Sequence, residues 1–106
     1  MRKITKDIAN AWVARKPRQI GNTMTDGKSV YLHGNLIATR HDNPLRWDFT
    51  LAGWNTVTTR ERLNGLLSAI GAERAAFVQR KGQPVFVGLD WSETPISSHE
   101  VITVKF

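Results

Sequence analysis

Three histidines, nine carboxylates and no cysteine are the raw material for chemistry in this 106-residue chain. Their spacing organises none of the recurring catalytic sites. His33, His41 and His99 stand apart, each beside an expected turn or strand end, and no H-x-x-x-H pair or metal-type carboxylate spacing accompanies them. Without cysteine there is no thiolate zinc site, no disulfide and no thiol nucleophile. Asp48 alternates with Arg46 and Thr50, the pattern of a solvated cross-strand pair rather than a general base. Asp90 and Glu93 flank Trp91 in a polar stretch, with nothing to bring a second tuned group to them. The serines lack a nucleophile-elbow context, and Gly53, Gly65 and Gly71 do not have the spacing of a phosphate-cradling loop. The expectation is a protein that is not an enzyme and uses no cofactor and no metal.

What remains is recognition chemistry. The net charge is +6, and residues 1–18 hold Arg2, Lys3, Lys6, Arg15, Lys16 and Arg18 against Asp7 alone, which is +5 of that +6. A local cationic cluster favours polyanions through counterion release, although charge also serves plain solubility. Arg60 and Arg62 stand in the first turn of an expected helix, where cations oppose the helix dipole, so contact with a partner is one explanation for them. The other is that Arg60 meets neighbours near Asn64 or simply reaches solvent. Four tryptophans complete the set. Trp12 and Trp47 fall on expected core faces, whereas Trp54 and Trp91 fall in connections. Trp54 is read as packing at the start of a helix; Trp91 is read equally as a packed lid or a stacking platform. The residues assigned to binding nucleic acid or a partner are Lys3, Lys6, Arg15, Lys16, Arg18, Arg60, Arg62 and Trp91.

The elements that must carry these residues are legible from periodicity. Residues 58–71 predict a helix: Thr58 and Glu61 have capping-box spacing, Leu63, Leu66, Leu67 and Ile70 form one apolar stripe, and Gly71 suits a left-handed C-terminal cap. Residues 5–15 predict another, with Thr5 as cap, Asp7 in the first turn, Ile4, Ile8, Ala11 and Trp12 inward and Pro17 beyond its end. Between them, Asp26-Gly27 marks a hairpin, Gly34-Asn35 a second turn and His41-Asp42-Asn43-Pro44 a third. Leu45, Trp47, Phe49 and Leu51 then alternate with Arg46, Asp48 and Thr50 as a strand with one dry face. After the second helix, strands are expected over 75–80, 84–89 and 101–106, joined by a Lys81-Gly82 turn and a polar loop over 91–98. The fold class is α+β: an antiparallel sheet of about six strands with two amphipathic helices packed on one face, in a single domain over residues 1–106. No apolar run reaches the roughly 18 residues of a membrane span, and the basic N-terminus is not followed by the apolar stretch of a secretory signal, so a cytoplasmic protein is expected, in the host cell if phage-encoded.

Asp26-Gly27, Tyr31-Leu32-His33-Gly34-Asn35-Leu36-Ile37-Ala38 with Arg40, Gly53-Trp54-Asn55-Thr56 and Thr58 to Asn64 together resemble small uncharacterised accessory proteins of tailed phages and prophages, over residues 5–67. The resemblance implies a context rather than a site. Such proteins often bind nucleic acid, or bind and inhibit a host protein. The first reading is therefore a non-enzymatic phage-type accessory protein acting on nucleic acid or nucleic-acid machinery. The alternative is a protein-binding inhibitor of a host factor or defence complex, of the anti-CRISPR type; a small nuclease or transferase is more distant.

Overall fold

The structure, a computed structural model, describes residues 2–105. Two helices, α1 (Lys3–Val13) and α2 (Val57–Ala69), accompany nine strands: β1 (Arg18–Ile20), β2 (Thr23–Thr25), β3 (Ser29–Leu32), β4 (Asn35–Asp42), β5 (Leu45–Phe49), β6 (Ala76–Arg80), β7 (Gln83–Val87), β8 (Glu93–Pro95) and β9 (Ile102–Val104). Six of these form an antiparallel sheet in the order β1-β2-β3-β4-β5-β9, and β6-β7-β8 form a second sheet of three. The fold is α+β, with the helices packed against each other over one face of the larger sheet.

Local signals explain most of the joints. Asp26 accepts hydrogen bonds from the Lys28 and Ser29 amides at 2.9 and 2.7 Å, closing the β2–β3 turn. These amide donors, Ser29 foremost, hold its carboxyl below the usual range. His33-Gly34 and Lys81-Gly82 both take left-handed backbone and make two-residue hairpins, with Leu32 opposite Asn35 and Arg80 opposite Gln83. At the end of α2, Gly71 at φ +87° lets its own amide and that of Ala72 reach the Ser68 and Leu67 carbonyls at 3.1 and 2.9 Å. The same cap closes α1 without glycine: Arg15 adopts φ +61°, and the Arg15 and Lys16 amides bond the Trp12 and Ala11 carbonyls. Gly27 packs so closely beneath this cap that a Cβ there would lie 2.9 Å from the Arg15 backbone.

The core forms between the helices and the two sheets. Ile8, Ala9 and Trp12 of α1 and Leu63, Leu66 and Leu67 of α2 are buried against Val30, Leu32, Ile37, Phe49 and Leu51. An aromatic chain runs through it: Trp12 meets Phe49 edge-on at 6.1 Å, Phe49 lies 6.5 Å from Phe77, and Phe77 is 5.2 Å from Phe86. The chain links α1, the large sheet and the small sheet. In β4 the register skips Ile37, and both Ile37 and Ala38 are buried.

Several expectations are corrected. The strands over 76–80 and 83–87 do not join the large sheet. The Asn64 side chain bonds both the amide and the carbonyl of Phe77, at 2.7 and 3.0 Å, occupying the edge of β6 as a neighbouring strand would. The large sheet is completed by β1 and β9, and the expected loop over 91–98 contains β8. The cap of α2 is Thr56, which accepts from the Thr59 amide at 3.1 Å, so the helix begins before Thr58. The first helix starts at Lys3, with Thr5 buried inside its first turns rather than capping it. Trp47 is half-buried against the core and Leu45 is exposed, so the dry face of β5 is complete only at Phe49. Phe106, expected on the last strand, lies outside the described residues.

Candidate functional site

The apolar stripe of α1, Ile8, Ala9 and Trp12, turns the opposite side of the helix outward. Lys3 and Lys6 are exposed there, and Arg15, Lys16 and Arg18 are exposed along the segment that leads into β1. Pairing of β1 with β2 sets Arg18 opposite Thr25, and Gly27 backs onto Arg15 and Lys16. Lys28, a residue the sequence reading did not select, is exposed in the same turn. Spacing along the chain could not show this, because the pairing of Arg18 with Thr25 and the approach of Gly27 to Arg15 bring this turn beside residues 15–18.

Three carboxylates are interleaved with these cations. Lys3 bonds Asp7 at 3.0 Å and Arg18 approaches the same oxygen at 3.9 Å. The Lys3 hydrogen bond, aided by the charges of Arg18 and Lys6, holds the Asp7 carboxyl below its usual range. Arg15 and Arg40 both reach Asp42 at 3.0 Å, and the Arg15 hydrogen bond leads in lowering that carboxyl. Asp26 is committed to its turn. Arg40 is buried and also donates to the Gly27 and Trp12 carbonyls at 3.0 and 3.3 Å, placing its charge at the C-terminal end of α1. Lys6 and Lys16 have no ion-pair partner among the described residues.

The other selected residues do not join this surface. Arg62 is 3% exposed and faces the core. Its Nε donates to Thr23 Oγ1 at 3.0 Å and one terminal nitrogen donates to Thr5 Oγ1 at 2.8 Å and to Glu61. Its expected surface role is thus corrected: it knits α2 to α1 and β2. Thr59, Arg62, Leu63 and Leu66 share the inward stripe of α2, so helical spacing carried the signal. Glu61 completes the network, accepting from the Thr5 hydroxyl and from the Arg2 amide. Burial works hardest on this carboxyl and opposes its charge, but the donors from Thr5, Arg2 and Arg62 outweigh it, so Glu61 is held below the usual range. Arg60 is half-buried and bonds Asn55 and Gln79, tying α2 to β6. Trp91, at the turn between β7 and β8, is 65% exposed, with the Arg74 guanidinium 6.0 Å from its ring centroid.

Two further surfaces complete the description. On the open face of the large sheet, Asp48 joins His41 at 2.9 Å and Thr103 at 2.7 Å, the solvated cross-strand arrangement that alternation predicts. At the start of α2, Trp54 is 58% exposed over a cleft of about 490 Å³ lined by Leu32, Asn35, Ile37, Leu51 and Thr58. Among the described residues no three His, Asp or Glu side chains converge as metal ligands, and no helix is long and apolar enough to cross a membrane.

No curated protein and no solved structure matches the chain. A family model described as the Kyanoviridae Gp96 protein matches residues 1–103, well beyond the 5–67 stretch that carries the resemblance to phage accessory proteins. The chain belongs to this family of phage proteins.

Proposed function

We propose that this phage protein is a non-enzymatic accessory factor that binds the phosphate backbone of nucleic acid through the outer side of α1 and the β1 to β3 end of the large sheet. The observation that carries the reading is the separation of duties along α1 and the segments beside its C-terminal end. Ile8, Ala9 and Trp12 dock the helix in the core, while Lys3, Lys6, Lys16 and their neighbours Arg15, Arg18 and Lys28 are exposed. The fold does not use Lys6 and Lys16 in any ion pair among the described residues. Phosphates approaching Lys3, Arg15 and Arg18 would compete with Asp7 and Asp42 for cations already held in position. Exposed pairs of this kind contribute little to stability, so exchanging them costs little. The chemistry is sequence-independent: cations at intervals meet phosphates, which carry no sequence information.

The experiment is titration of fluorescently labelled single- and double-stranded DNA and RNA of random sequence at two salt concentrations. Binding at low salt that falls steeply with added salt is expected; absence of binding to all four refutes the reading.

One feature favours a second reading, a protein-binding inhibitor of a host factor. Val13 and Leu45 are each about half exposed and border a depression with Trp47, Ile70 and Arg15. An apolar patch rimmed by an arginine is the composition of a protein-contact anchor. Retention of one host protein that survives nuclease treatment, lost on Leu45→Asp, is the outcome that would place this reading first.

A further inference from the structure

The cleft beneath Trp54 combines features that the fold itself leaves unused. Its floor is Leu32, Ile37 and Leu51, all nearly fully buried. Trp54 stands at its lip on a constrained turn. Ala52 and Gly53 both take left-handed backbone, the Trp54 amide bonds the Leu51 carbonyl at 2.9 Å, and the Gly53 amide bonds the Ser98 carbonyl at 2.8 Å. A large ring is thus held out into solvent by a turn that includes a non-glycine residue at φ +54°. Asn35 lines the cleft, half-buried, and its side-chain amide has no hydrogen-bond partner among the described residues; the other unbonded asparagine side chains, Asn10 and Asn43, are exposed and lie outside the cleft. The Thr58 hydroxyl, also in the lining, is likewise unbonded, while its neighbours Thr56 and Thr59 bond each other at 2.8 Å.

We infer that this cleft takes a single unpaired nucleobase. The three groups fit that chemistry together. An exposed indole offers a face for stacking, which is tolerant of base identity. A free carboxamide offers one donor and one acceptor side by side, the pairing that an adenine edge satisfies. The apolar floor gives the ring a dry second side, and the volume lies in the range of small-ligand clefts. A purely apolar occupant would leave the Asn35 amide and the Thr58 hydroxyl without partners, which disfavours it. The inference deepens the nucleic-acid reading by giving it a preference for unpaired strands, but its site is separate from the α1 cations.

The test uses the intact protein carrying Trp91→Phe, so that Trp54 is the main exposed indole, titrated with adenosine, adenosine 5′-monophosphate and inorganic phosphate while fluorescence is followed. Adenosine and its monophosphate are expected to quench. Trp54→Leu and Asn35→Ala, with adenosine binding read by titration calorimetry, should each weaken it at least fivefold. Neutralising Lys6 and Lys16 should leave adenosine binding unchanged, which separates this site from the backbone-binding surface. A response to phosphate without adenosine would mean that the helix start binds anions only and would overturn the inference. No response to any of the three would overturn it equally, whatever the outcome for polynucleotides.

Discussion

Replacing Arg62 by methionine asks whether this arginine is a surface cation or part of the interior. Methionine keeps much of the side-chain volume and removes the charge and the donors. In the structure those donors serve Thr23, Thr5 and Glu61, across sequence separations of 39, 57 and 1 residues. Hydrogen bonds to a charged group are worth about 1.5–3 kcal/mol each and do not add. Removing one member of a buried ion pair costs about 3–5 kcal/mol. Glu61 keeps 21% of its side-chain surface in water, so its stranded charge is partly solvated and the lower end applies. The expected loss is about 3 kcal/mol, read from urea unfolding at pH 7 with an unchanged m-value. Converting Glu61 to Gln in the same chain should restore part of it, because no bare carboxylate is then left behind. The acid limb gives a second readout. Glu61 is held below its ordinary value of 4.5, so the unfolded chain binds the proton more readily. Its contribution is therefore full above that value and is lost as the pH falls through the lower folded-state value. Arg62→Met should shrink this acid-dependent loss. A change within about 0.5 kcal/mol, the size expected of an ordinary surface substitution, would refute the network and return Arg62 to the set of partner-facing cations.

Other substitutions test the remaining joints. Gly27→Ala should cost more than about 2 kcal/mol, because it meets both a left-handed φ of +96° and the Arg15 backbone at 2.9 Å; Gly21→Ala, left-handed but in open space, should cost only about 1–2 kcal/mol, as thermal unfolding would show. Thr56→Ala should cost about 1 kcal/mol and Thr58→Ala close to nothing, and the reverse order would place the cap of α2 at Thr58 instead of Thr56. Asn64→Ala should cost about 1–3 kcal/mol and speed hydrogen exchange at the Phe77 amide, since both of its bonds to that residue disappear.

The parts of the fold that the sequence discloses are those decided within a few residues. Asp26-Gly27, Lys81-Gly82 and Gly71 mark their turns and cap because left-handed backbone has a strong residue preference. The Leu63, Leu66 and Leu67 stripe is equally local. What escaped was decided at long range. Thr5 and Arg62 look like a cap and a surface cation until it is known that they meet across 57 residues. The edge of β6 in the smaller sheet is bonded by one asparagine side chain 13 residues away, a contact that no local pattern announces. The candidate surface follows the same division. The basic segment over 1–18 is visible as composition, but Lys28 joins it only because the β2–β3 turn folds back beside Arg15, and Asp42 tempers it from the far end of β4. The Trp54 cleft was invisible because Trp54 reads as helix packing until its exposure is seen.

The most direct test of phosphate binding by the α1 surface is the salt dependence of affinity for a random-sequence duplex, compared between the native chain and Lys6→Gln/Lys16→Gln. These two lysines carry no ion pair among the described residues, so stability should hold. Each lost phosphate contact should flatten the slope of log K against log salt by about 0.9. The account predicts weaker binding, about equally across sequences, with the slope reduced by nearly two such steps. An unchanged slope and affinity in a folded variant would contradict it.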